Sequence, residues 1–94
     1  MIDMRRATTP IAVLAGGNRL FERAVGAMGL DEEFCRLLLA ETFHSIGSAP
    51  AEATADELGV MLPEIERRMR LALPYDAAAA ALGKLRHLLL SWEE

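Results

Sequence analysis

Cys35 and His44 supply a nucleophile and a base, and a thiolate activated by an imidazole needs the two within hydrogen-bond reach. They stand nine residues apart on one helical stretch, and nine steps of about 100° turn them to opposite sides. No dyad can form within that helix. Cys35 falls in its apolar arc, where a thiol behaves as a small hydrophobe. Glu41-Thr-Phe-His44 has the Glu-x-x-His spacing that carboxylate di-iron bundles use, but such a site needs two of these pairs and two more inward glutamates. The inward positions nearby carry leucine and alanine, and His87 has Lys84 and Arg86 beside it to repel a cation. Gly16-Gly17-Asn18 lacks both the Gly-Lys-Ser/Thr of a phosphate loop and the third glycine of a dinucleotide site, so it reads as a hinge ahead of a helix. The expectation is a chain with no catalytic site, no metal and no cofactor.

These side chains must be carried by helices, because apolar residues recur throughout at helical spacing and never alternate as in a strand. Residues 1–8 read as a flexible lead-in, and Thr9–Pro10 as a helix start. Asn18 caps a helix whose apolar stripe is Phe21, Ala24, Val25 and Met28, with Gly29 as its stop. Asp31 caps a central helix reaching about Ile46, in which Phe34, Cys35, Leu38, Leu39, Thr42, Phe43 and Ile46 share one side. Gly47 closes it. Ser48 to Ala53 reads as a linker or short helix, and Thr54-Ala-Asp-Glu57 matches a capping box. Pro63 has no N–H to donate and restricts Leu62, which points to a new helix starting there with Leu62, Ile65, Met69, Ala72 and Leu73 inward. Pro74 ends it. Asp76 then caps a last helix with Ala78, Ala81, Leu82, Leu85, Leu88, Leu89 and Trp92 on one stripe. The expected fold is all-α, a compact orthogonal bundle of four to five short helices forming one domain over 1–94.

Ala55-Asp-Glu-Leu-Gly-Val60 followed by Ile65-Glu-Arg-Arg-Met-Arg70 resembles the helix-turn-helix of bacterial transcription regulators over some twenty residues. Ala55, Leu58, Gly59, Val60, Ile65, Arg67, Arg68 and Met69 stand at matching places. The resemblance implies a turn through Leu58-Gly59-Val60 and DNA contacts from Arg67 and Arg70. Met61 stands where the family usually has Ser or Thr, and Glu66 would repel a phosphate backbone. Glu64 with Arg68 and Glu66 with Arg70 also have the i,i+4 order of a solvated helix face.

Cys35 is the single cysteine, which rules out an intrachain disulfide and a cysteine-rich zinc site and favours a reducing compartment. Arg5 and Arg6 precede an apolar run, Ile11 to Ala15, too short for a secretory signal, and nothing approaches the roughly 18 apolar residues of a membrane span. A cytoplasmic protein is expected, without a membrane partner. The net charge of −4 offers nucleic acid no global attraction, although a local basic patch remains compatible with it. Hydrophobic residues make up 52% of this small chain, a surplus that a partner surface would absorb. Leu37, Leu71 and Leu90 lie off the core stripes of their helices and are the expected interface residues. The expected function is therefore a protein–protein interaction module, a homodimer or an adaptor for another protein, with DNA binding through residues 55–70 as the alternative.

Overall fold

Asn18 opens the first helix as expected, its Oδ1 accepting the Phe21 backbone N–H at 3.0 Å. The computed structural model describes residues 17–92, so the lead-in 1–8 and the helix start at Thr9–Pro10 lie outside the described residues. Four α-helices follow: α1 is Arg19–Ala27, α2 Glu32–Ser45, α3 Ala55–Ala72 and α4 Tyr75–Ser91. A single 3-10 turn, Pro50–Glu52, bridges α2 and α3. The fold is all-α.

The helix boundaries follow from local chemistry. Gly29 ends α1 with φ +69° and Gly47 follows α2 with φ +80°, a backbone region that favours glycine. Asp31 caps α2 by accepting the Phe34 N–H at 3.0 Å. The box at the start of α3 is reciprocal: Thr54 Oγ1 accepts the Glu57 N–H at 3.1 Å, and Glu57 Oε1 accepts the Thr54 N–H at 3.3 Å. The cap of Asn18 also ties the chain across the bundle, since its Nδ2 donates to the Ala53 carbonyl at 2.6 Å.

Two expected boundaries are corrected. The chain does not restart at Pro63, which lies inside an unbroken α3. The missing N–H deprives only the Gly59 carbonyl of its partner, and Pro63 is exposed, while Met61, Ile65 and Met69 hold the other side of the helix in the core. Asp76 is not the cap of α4 either. Pro74, extended at φ −59° and ψ 154°, takes that place, and its carbonyl accepts the Ala78 N–H at 3.0 Å, leaving Asp76 in the first turn.

Each helix packs against two others, α1 on α2, α2 on α3, α3 on α4, and α4 back on α1, enclosing one core. The expected stripes of α1 and α4 are buried or half-buried throughout. Phe21 and Phe43 meet at the centre with ring centroids 6.2 Å apart, tilted by 53°. Thr42, the one buried polar side chain among the described residues, donates to the Leu38 carbonyl at 2.7 Å. Ile46 departs from its expected place at 49% exposure, because the helix has ended and its backbone has turned out of the α region. On α3, Leu58 and Met61 take the inward places, Leu62 is half-buried and Ala72 is exposed, and Leu73, just past the helix end, is half-buried.

One ion network locks α1 to α2. The Arg36 guanidinium grips both oxygens of Glu22 at 2.7 Å and reaches Glu32 at 2.8 Å. Glu22 accepts the Gly17 backbone N–H as well, at 2.9 Å. The hydrogen bonds from Arg36, with that of Gly17 second, hold the Glu22 carboxyl down at about 2 from its ordinary 4.5. A depressed carboxyl stabilises the fold above its unfolded value, and that contribution fades as the pH falls from about 4.5 towards 2. Urea midpoints measured across this window should therefore fall more steeply for the parent protein than for Glu22→Gln. Parallel curves would remove Glu22 from the acid response.

Candidate functional site

The side chains with intrinsic reactivity are not brought together. Cys35 is fully buried, and loss of solvation pushes its thiol above the ordinary value of 9.0. Glu41 and His44 are both exposed, and Glu41 lies 3.9 Å from Arg68 across α2 and α3. No three His, Cys, Asp or Glu side chains gather as a metal site among the described residues.

The helix-turn-helix expected over 55–70 is corrected as well. Leu58, Gly59 and Val60 are interior residues of α3, so no turn there separates a supporting helix from a recognition helix. Met61 is 2% exposed and belongs to the core instead of a DNA-facing row. Arg67 pairs with Glu64 at 2.6 Å and Arg70 with Glu66 at 2.5 Å, so both expected DNA contacts already hold carboxylates. Arg70 also lies over the Tyr75 ring, 4.8 Å from its centroid. Glu64 takes Arg68 as well, at 2.7 Å, and the two arginines hold its carboxyl down at about 2. The surface of α3 is thus a chain of short-range pairs in the i,i+3 and i,i+4 register.

The three expected interface leucines separate into two places. Leu37 and Leu71 line a groove of about 320 Å³ between α2 and α3, with Phe34, Leu38 and Ala72, and with Glu41 and Arg68 also on its wall. Leu71 is 77% exposed there, while Leu37 is half-buried. Leu90 is 88% exposed but lies near the far end of α4 and takes no part in lining this groove. The structure therefore brings Leu37 and Leu71 together in one groove and sets Leu90 apart from them.

A second concavity was not foreseen from the sequence. It lies between α1 and α4, encloses about 620 Å³, and brings Arg23 beside Lys84 and His87. Lys84 and His87 are adjacent on α4 by i,i+3 spacing, which was legible. Their meeting with Arg23 depends on the closure of α4 onto α1, which no local pattern encodes.

No protein-family model matches the chain, and no curated protein and no solved structure shows significant similarity to it. Function must be argued from the two grooves.

Proposed function

We propose that this chain is a small interaction module that binds a second copy of itself through the groove between α2 and α3. The observation that carries this reading is Leu71, a large aliphatic side chain left 77% exposed on the edge of a groove with a largely apolar lining. Full burial of one such side chain contributes about 1.5–3 kcal/mol, and a two-fold interface counts it twice. The second copy is favoured as occupant by charge. The groove wall carries one acid, Glu41, and one base, Arg68, which also holds Glu64, and a two-fold axis passing between Glu41 and Arg68 would set each against its opposite on the other copy. A reducing, cytoplasmic setting suits the single buried cysteine, and among the described residues no helix is long and apolar enough to cross a membrane.

The test is light scattering on a size-exclusion column over a concentration series. The parent protein is expected to run as a dimer and Leu71→Glu as a monomer of unchanged helix content. Leu71 is the better probe because its side chain contributes little to the core, whereas Leu37→Glu disturbs a half-buried site. A parent protein monomeric at every concentration, or a variant that dimerises equally well, would end this reading.

A further inference from the structure

The eight lysines and arginines among residues 17–92 divide by location. Arg36, Arg67, Arg68 and Arg70, on α2 and α3, all bridge carboxylates. Arg19, Arg23, Lys84 and Arg86, on α1 and α4, make no ion pair among the described residues. Those two helices carry only Glu22 and Asp76 as acids, and Glu22 is taken by Arg36. In this chain of net charge −4, Arg23 and Lys84 thus stand on α1 and α4 without a carboxylate partner among the described residues.

Both line the cleft between α1 and α4. Arg23 and Ala27 line one wall, and Ala80, Gly83, Lys84 and His87 the other. Arg19, Arg23 and Lys84 are held in place without an ion pair among the described residues. Arg19 and Arg23 lie over the Trp92 ring, 5.3 and 5.8 Å from its centroid. The Lys84 ammonium rests against Gly29, 3.1 Å from where a side chain there would begin. That is the negative end of α1, whose own last turn holds no base.

We propose that this cleft binds an acidic helical segment of a partner protein, with carboxylates of the segment meeting Arg23 and Lys84. Ala80, Lys84, His87 and Ser91 follow one another along α4 at steps of four, three and four. They form a row about 16 Å long, the length of three helical turns. Ala27, Ala80 and Gly83 have no side-chain atom beyond Cβ, so a docked helix can come close to both walls. A concavity between two helices presents no protruding element to enter a duplex groove, and no phenylalanine, tyrosine or tryptophan lines it to stack on a base. This site uses a different pair of helices from the self-association groove, and either can fail without the other.

The experiment is fluorescence anisotropy of the full chain with a labelled three-turn peptide of alanine, leucine and glutamate, its glutamates on one face. The matching peptide with glutamine at those positions is the control. Saturable one-to-one binding of the glutamate peptide is expected, weakened about tenfold or more by Arg23→Glu/Lys84→Glu. It should weaken likewise as salt rises from about 0.05 to about 0.5 M. Arg67→Glu/Arg70→Glu, which changes the net charge equally on α3, should leave binding intact, as should Leu71→Glu. Should the glutamate pair in the cleft reduce helix content, Arg23→Gln/Lys84→Gln gives the same reading. Failure of the glutamate peptide to bind, equal binding of the glutamine peptide, equal loss in the α3 variant, or tighter binding of a labelled oligonucleotide would each overturn the proposal.

Discussion

Phe21→Ala should destabilise the protein by about 3–5 kcal/mol, the largest loss expected of any single substitution considered for this chain. Phe21 is fully buried and lies where three things converge. The Phe43 ring stands 6.2 Å away, the Arg36 guanidinium covers it at 5.9 Å, and the backbone of Gly17 comes so close that a Cβ there would fall 2.6 Å from it. Truncation removes the transfer energy of the ring and leaves a cavity whose walls, drawn from several helices, cannot all collapse inward. A domain of this size has about 5–15 kcal/mol in all, so the variant should sit near the edge of folding at room temperature. Urea denaturation provides the check: a large fall in midpoint at unchanged slope. Phe34→Ala, at a half-buried edge position, should lose clearly less. Equal losses at the two phenylalanines would mean that the centre of the core has been wrongly placed.

Pro63→Ala should go the other way and stabilise the protein by about 1–3 kcal/mol. Within an unbroken α3, Pro63 removes one backbone hydrogen bond and presses its ring on the preceding turn. Alanine restores the donor to the Gly59 carbonyl and is the better helix former. Against this stands a smaller loss, about 0.4–1 kcal/mol, from the greater freedom that alanine gives the unfolded chain. The sign is the informative part. A proline at the first position of a new helix is favourable, so a chain broken at this point would gain nothing from alanine or would lose stability. A raised urea midpoint supports the continuous helix; an unchanged or lowered one contradicts it.

That contrast also shows where the sequence was a sufficient guide. Caps are local, and Asn18, Asp31, Thr54 with Glu57, Gly29 and Gly47 could each be read from neighbouring residues and serve as read. The stripes of α1 and α4 were legible for the same reason, since a period of 3.6 requires no knowledge of partners. Pro63 was misread because local rules weigh the lost hydrogen bond but not the core contacts of Met61, Ile65 and Met69 that keep the helix going. The resemblance of the 55–70 segment to a DNA-reading motif placed a turn at Leu58-Gly59-Val60, where the packing likewise sustains a helix. Of the candidate sites, Leu71 and Leu90 were rightly placed off the core, but their separation into different regions is tertiary information. The basic cleft is tertiary for the same reason: Arg23 and Lys84 are sixty-one residues apart in the chain.

The burial of Cys35 gives the molecule a built-in gauge. It is the chain's sole thiol, with no exposed surface, and its proton is held more tightly than in water. A thiol-directed reagent can reach it only when α2 lifts away from its neighbours, so the labelling rate under native conditions counts those openings directly. Where reclosing outpaces reaction, the ratio of that rate to the rate for an unstructured peptide is the equilibrium constant for opening. The losses expected of Phe21→Ala and Phe34→Ala and the gain expected of Pro63→Ala can be ranked by that one chemical clock, without denaturant and without an introduced probe.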